Sequence, residues 1–297
     1  MPKFSIIVAS VNGLPFIEEC LSSLENQRGG THEAEIIVVD STDVETRKYI
    51  ASKFPKVNLI GVEGRPGIPE MRAIGMRVAT GDYLVITEDH CIAPENWLEE
   101  ISRAHNGGYA VVGGGVENGS CSRLVDWAVF LCEYSSFMPP IEAGEVEFVA
   151  GNNVSYSREA ISRVDENVRT DFWEYFLQAE LKRQGVKFLS VPAVEIIHKK
   201  EFGFFYFLVQ RFHYSRSFAA MRRKRSTVSR QLIYLAYAPV SVLHLTWRII
   251  TNVRRKGKYQ RELLLSFPFL AMFMCSYAFG ELIGQLFGSG NSLAKVE

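Results

Sequence analysis

Residues 81–98 read GDYLVITEDHCIAPENWL, and the division of this run decides the fold. Gly81 and Asp82 make a polar entry turn, and Tyr83 to Ile86 an apolar strand. Glu88, Asp89 and His90 form an acidic and imidazole cluster, and Pro94 to Trp97 open a helix. A strand that delivers Glu and His from its C-terminal end into a loop presents metal ligands at the edge where open α/β sheets bind nucleotide phosphates. The run alone points to a metal-dependent enzyme acting on a nucleotide-linked substrate.

Working outward, Phe4 to Ala9 and Ala34 to Val39 are continuous apolar runs, as expected of parallel strands covered on both faces. Pro15 to Asn26 places Phe16, Ile17, Cys20, Leu21 and Leu24 at helical spacing. Val57 to Val62 reads as a third strand, Glu70 to Ala79 as a helix, Tyr83 to Thr87 as the fourth strand, and Pro94 to His105 as the next helix. Alternating β and α elements predict a doubly wound α/β domain. From Tyr109 the texture changes: VVGGGVEN and EFVAGNNVSYSREAI are strands broken by glycine, where the backbone turns sharply or approaches a ligand. A helix over 172–184 stops at Gly185, and a strand from Phe188 to Ile197 ends at His198.

The 297 residues carry 33 basic and 33 acidic side chains, so nothing global indicates a nucleic-acid partner. The charges are uneven, with acids concentrated in the first two-thirds and a basic, aromatic segment after Phe202. Five scattered cysteines, Cys20, Cys91, Cys121, Cys132 and Cys275, form no metal-finger spacing and read as free thiols in a reducing compartment. The N-terminal MPKFSIIVAS is β-branched and lacks a small-residue cleavage site, so the chain is expected to start as a cytosolic strand.

Two uncharged runs, Gln231 to Trp247 and Leu263 to Gly280, approach the ~18–20 residues that cross a bilayer. Basic clusters at 222–225 and 254–258 flank them; if both runs spanned, the clusters would lie on opposite sides, against the positive-inside tendency. Spanning, re-entrant and interfacial arrangements all stay open, as does a soluble helical subdomain. Expected domains are 1–200, a catalytic α/β unit; 201–230, a basic amphipathic, interfacial helix; and 231–297, a hydrophobic membrane-associated region. Within 210–225, Arg211, His213 and Arg216 are candidates for clamping a phosphate, against an ordinary interfacial role.

Taken in order, FSIIVASVNGLPFIEECLSSLENQ, EIIVVDSTD, PEMRAIGMRVATGDYLVITEDH and GNNVSYSREAI resemble the family-2 glycosyltransferases of the GT-A fold. That resemblance covers about residues 3 to 200. It implies a Rossmann-like domain with a mixed sheet, followed here by C-terminal hydrophobic helices. It also implies inverting, metal-dependent transfer of a sugar from a nucleoside-diphosphate donor, UDP- or GDP-linked, to a glycan or lipid acceptor. The setting is then cell-surface polysaccharide, glycolipid or lipid-linked glycan synthesis, with the catalytic domain on the cytoplasmic side of the cell membrane.

By position, the resemblance makes Asp40 the reader of the nucleobase, Ala9 the backbone approach to the base in the loop after the first strand, and Arg72 a donor-side guanidinium. Asp40 also suits a simple loop cap. Glu88-Asp89-His90 stands where the family has its DxD, so that Glu88 meets the donor and the metal and His90 coordinates the metal, Mn²⁺ suiting imidazole better than Mg²⁺ does. Asp89 is a donor-side residue and, one position off, an alternative metal ligand. His198 is a late metal-side histidine, and Gly151, Asn152, Asn153 and Trp173 are acceptor-side. Glu174 takes the place of the catalytic base; it equally fits N3 of a capping box opened by Asp171. Two further classes fit the same core: a sugar-phosphate nucleotidyltransferase, for which ASVNGLPF lacks a basic phosphate loop, and a non-catalytic nucleotide-sugar-binding subunit of a membrane complex.

Overall fold

The computed structural model describes residues 3–27, 33–64, 66–165 and 174–296. The chain forms two units, 1–119 with 137–199 and 120–136 with 200–297.

In the first unit, strands β1 (Lys3–Ser10), β2 (Glu33–Asp40), β3 (Asn58–Gly61) and β4 (Tyr83–Glu88) run parallel. Antiparallel β9 (Val154–Ser157) joins them to β6 (Val111–Gly113), β10 (Phe188–Ser190) and β8 (Gly144–Val146). The order β3-β2-β1-β4-β9-β6-β10-β8 makes one mixed sheet of eight strands. Continuous apolar sequence is what lets these strands be covered on both faces: Ile7, Ile37, Val39, Leu84 and Ile86 share one core with Tyr156 and Phe188, and the alternate residues Ile6, Val8, Val38 and Val85 are buried as well.

Helices α1 (Phe16–Glu25), α3 (Ile68–Val78) and α4 (Trp97–Asn106) occupy the expected connections. Helix α2 (Val44–Lys53) was not legible from apolar spacing, since only Thr46 and Ile50 are buried on it. It starts because the Asp43 carboxylate accepts from Thr46 N at 2.7 Å, an N-cap. Ala9 lies inside β1 and is buried, so the expected loop position is corrected; the loop begins at Val11. The single strand expected from Phe188 to Ile197 is two. After β10 the chain turns at Val191 to Val194, where Pro192 offers no N–H to a ladder. It then enters a small sheet as β11 (Ile196–His198), between β5 (Cys91–Ile92) and β7 (Val116–Asn118).

The second unit is helical: α5 (Leu124–Tyr134), then, beyond α6 (Arg158–Ser162) and α7 (Glu174–Arg183) of the first unit, α8 (Phe204–Lys224), α9 (Val228–Tyr237), α10 (Ser241–Lys256) and α11 (Gln260–Phe287). Among the described residues α11 is long and apolar enough to cross a membrane. The earlier uncharged run is not one straight helix: α9 and α10 meet at 71°, with Pro239 in the break.

Helix α8 packs backbone-close on α11. A Cβ at Gly280 or Gly284, one turn apart, would collide with the carbonyls of Phe212 and Arg216. Arg216 donates to Gly288 O at 3.0 Å and Arg223 to Gln285 O at 2.8 Å, satisfying carbonyls that the end of α11 leaves open. Arg211 is buried, paired with Glu133 at 2.9 Å and stacked on Tyr214. His213 Nδ1 lies 3.0 Å from Ser292 Oγ. Arg211, His213 and Arg216, the candidates for a phosphate clamp, are thus engaged inside the unit.

On α4, His105 is buried between Tyr109 O (2.7 Å from Nδ1) and Ser155 Oγ (2.7 Å from Nε2), and stacks on Tyr83. Burial, only partly offset by the Tyr109 carbonyl, pushes it down from 6.5 to about 4. The folded protein keeps it neutral while the unfolded chain protonates it, so stability falls as pH drops from 6.5 towards 4. The loss amounts to about 3 kcal/mol. Urea unfolding at pH 7.5 and pH 4.5 should show this component in the wild type and its absence in His105→Gln.

Candidate active site

The register of the parallel strands assembles the site. Ser10 pairs with Asp40 and Ala9 with Glu88, so the carboxyl ends of β2, β1 and β4 stand side by side. The chain moves outward from β1 to β2 and β3 on one side and returns from β3 to β4 on the other side of β1, the reversal of strand order that marks a switch point.

Asp89 follows β4 and is fully buried. Its Oδ2 accepts from the backbone N–H of Val11 at 2.8 Å and of Asn12 at 2.7 Å. Oδ1 accepts from Asn12 Nδ2 at 2.7 Å and faces His90 Nδ1 at 2.8 Å. Burial alone would raise the carboxyl, but the hydrogen bond and charge of His90 and the donors of Asn12 outweigh it and hold Asp89 below the ordinary carboxylate range. With Nδ1 turned to Asp89, the other ring nitrogen of His90, Nε2, is directed away from that carboxylate. That Nε2 is 2.9 Å from His198 Nε2 and 3.4 Å from Glu88 Oε2. His198 is brought there by β11, whose pairing sets it opposite Cys91.

Two imidazoles and a carboxylate therefore approach one another, nitrogen and oxygen donors of the kind that divalent metals accept. Cys91 Sγ lies in the same cluster, all ligand atoms of Glu88, His90 and Cys91 being within 4.8 Å. Burial first, then the charge of Glu88, pushes the Cys91 thiol well above its ordinary value. The ligand atoms that could hold a cation together are those of Glu88, His90 and Cys91, and His198 Nε2 lies beside them, 2.9 Å from His90 Nε2.

Arg72 projects from α3, 4% exposed, and donates to Glu88 Oε1 at 2.8 Å while its other terminal nitrogen pairs with Glu174. Glu174, the first described residue of α7, packs over Gly151, where a Cβ would strike its side chain. Asn152 Nδ2 donates to Glu88 Oε2 at 3.3 Å. Glu88, Asp89, His90, His198, Arg72, Glu174, Gly151 and Asn152 are thus one contiguous cluster.

Two expected residues serve other ends. Asn153 is fully buried, accepting from Trp97 Nε1 at 3.0 Å and donating to Gly115 O and Val194 O at 2.8 Å each. It ties three segments together instead of facing an acceptor. Asp40 is also fully buried, receiving Ser10 Oγ at 2.8 Å, Thr42 Oγ1 at 2.7 Å and Thr42 N at 3.2 Å. In this arrangement its carboxylate anchors the loop after β2. Trp173, and Asp171 of the alternative capping box, lie outside the described residues. Asn12 was missed by sequence reasoning; its one signal was the Asn-Gly pair directly after β1.

The sequence profile described as "Glycosyl transferase family 2" matches residues 5–165, more than half of the chain. The chain belongs to this glycosyltransferase family. Polypeptide N-acetylgalactosaminyltransferase 12 of Mus musculus is 31% identical over 137 residues, 44% of this chain and 23% of that protein. Glycosyltransferase AglE of Haloferax volcanii is 26% identical over 122 residues, 39% of this chain and 40% of its own length. The family 2 chain thus spans well under half the length of these curated relatives. In fold it is similar to the mannosyltransferase PcManGT of Pyrobaculum calidifontis in complex with GDP-Man and Mn²⁺, with a TM-score of 0.59 and 18% identity, covering 95% of this chain and 87% of that one. S. aureus TarS (1-349) gives 0.54 and 13%, covering 95% and 90%.

The placement of Asp89 makes it the link on which this family 2 site depends. Asp89→Ala takes their acceptor from the half-buried Val11 and Asn12 N–H groups and from Asn12 Nδ2, at a cost of about 3 kcal/mol. Urea unfolding should read this loss, whereas His198→Ala, which leaves every Asp89 hydrogen bond in place, should cost less.

Proposed function

We propose that this chain transfers a sugar from a nucleoside-diphosphate donor to a hydroxyl or phosphate group of a glycan or lipid acceptor, with inversion and with a divalent metal, Mn²⁺ in preference to Mg²⁺. One observation carries the reading: Glu88, His90 and His198 converge at the carboxyl end of β4, with Glu174 held beside them through Arg72. The family membership and the GDP-Man, Mn²⁺ complex of a protein with the same fold support it.

In this reading Glu88, His90 and His198 hold the cation, which supplies positive charge for the departing diphosphate. Asp89 is a positioning residue that fixes the His90 ring, and its hydrogen bonds to the loop after β1 support the register in which His90 meets the metal. Glu174 is the base. Its carboxylate takes the acceptor proton as the acceptor oxygen bonds to the anomeric carbon, and the opposite carbon–oxygen bond breaks with its electron pair leaving on the diphosphate. Arg72, enclosed by two carboxylates, positions Glu88 and Glu174 in place of meeting the diphosphate itself. Gly151 and Asn152 border Glu174 and Glu88 on the acceptor side.

We assign the enzyme to the cytoplasmic face of a cell membrane, in synthesis of a surface polysaccharide, glycolipid or lipid-linked glycan. The long apolar α11 and five free cysteines support that assignment.

A thermal-shift screen of UDP- and GDP-sugars with Mn²⁺ or Mg²⁺ should single out the donor, because a ligand of the folded state raises its stability with concentration. Glu174→Gln should keep that shift and lose transfer and donor hydrolysis by about 10²–10⁴-fold, while His90→Ala or His198→Ala should abolish the metal's contribution to the shift. Full turnover in Glu174→Gln, or donor binding without turnover in the wild type, would overturn the reading.

A further inference from the structure

Helix α9 buries none of its ten residues. With α10 and α11 it leaves Val228, Leu232, Leu243, Trp247, Leu264 and Phe287 each 63–75% exposed. On α11, Leu264, Met272, Cys275 and Phe279 share one face by helical spacing and are all exposed. Apolar surface on this scale marks an interaction site. The charge around it names the partner. From 202 to 261 the chain carries thirteen Lys and Arg and no Asp or Glu, and Arg225, Arg230, Arg254, Arg255, Lys258 and Arg261 are exposed. Apolar side chains interspersed with charge of one positive sign suit anionic lipid, with basic groups at the headgroups and their stems along the apolar layer.

The packing inside the unit argues against a crossing. Helices α8 and α11 run parallel: Phe204 meets Phe269 and Phe273, Ser276 donates to Leu208 O, and Phe212 lies at Gly280. The start of α8 is therefore level with the middle of α11. Charged groups stand there, with Arg123 paired to Asp126 at 2.6 Å and to Glu201 at 3.4 Å, and donating to Phe202 O at 3.2 Å. If α11 spanned, this cluster would be drawn to the bilayer centre, where charges are costly. Basic residues would also flank both ends of the span, Arg254, Arg255 and Arg261 at one and Arg216, Arg222 and Arg223 at the other, against the positive-inside tendency.

We infer that the second unit is a monotopic membrane module: α9, α10 and the exposed face of α11 lie in one leaflet of an anionic bilayer, and none of them crosses it. The inference rests on the membrane assignment made for the enzyme and adds its topology.

Two measurements on the full-length chain test it. With sealed POPC/POPG (7:3) vesicles, flotation should recover the wild type with POPG and far less with POPC alone. Leu243→Glu with Trp247→Glu should lower recovery at least tenfold without changing the far-UV circular dichroism. No flotation of the wild type would remove the membrane assignment itself. For topology, Arg261→Cys and Asn291→Cys, at the two ends of α11, are made singly in a Cys121→Ser, Cys275→Ser background and produced in a bacterial host. Neither should react with a membrane-impermeant maleimide in intact spheroplasts, and both should react in inverted vesicles. Flotation together with labelling of one end in intact spheroplasts would overturn the in-plane arrangement alone.

Discussion

The fully buried Asp89 carboxylate ties the loop after β1 to the end of β4 and at the same time orients His90. Two backbone N–H groups, a side-chain amide and an imidazole N–H share its two oxygens, so little of its hydrogen-bonding capacity is unused. The remaining geometry follows from that anchorage. Once Nδ1 of His90 is committed, Nε2 is directed at His198 and Glu88. A buried carboxylate with fewer donors would have been costly; with four it is held in its charged form.

A second constraint is electrostatic. Glu88, at the end of β4, and Glu174, the first described residue of α7, are far apart in the chain, and Arg72 pairs with both from a nearly buried position. Without that guanidinium the two carboxylates, sharing a crevice with a histidine pair, would repel or protonate. The same pairing holds the proposed base at a defined distance from the proposed metal ligands. Gly151 completes the arrangement by leaving room for the Glu174 side chain. The helical unit uses arginine in the same way: Arg211 pairs inward with Glu133, and Arg216 and Arg223 complete the carbonyl end of α11.

The alternation of apolar runs and helical spacing identified the α/β class and most strands of the first half, because parallel strands buried on both faces need unbroken apolar sequence. The ordered motifs identified the family and the cluster at Glu88 to His90. Helix α2 was invisible because it buries only two residues and starts on an Asp cap. The β10–β11 break was invisible because a short turn at Pro192 separates two strands of the same apolar texture.

By itself the sequence determined which residue types reach the carboxyl edge of the sheet, since strand ends follow from local apolar runs and turn chemistry. Only the tertiary structure decided what those side chains do there. Asp40 and Asn153 look like ligand-facing polar residues in a motif, yet their partners, Ser10 and Trp97, Gly115 and Val194, come from distant segments that enclose them. His90 and His198 are separated by 108 positions and meet because β11 pairs with β5. Glu88-Asp89-His90 was legible as a site from the start. The division of labour within it, His90 facing His198 and Glu88 and Asp89 turned to the β1 loop, depends on hydrogen bonds between segments that no local pattern records.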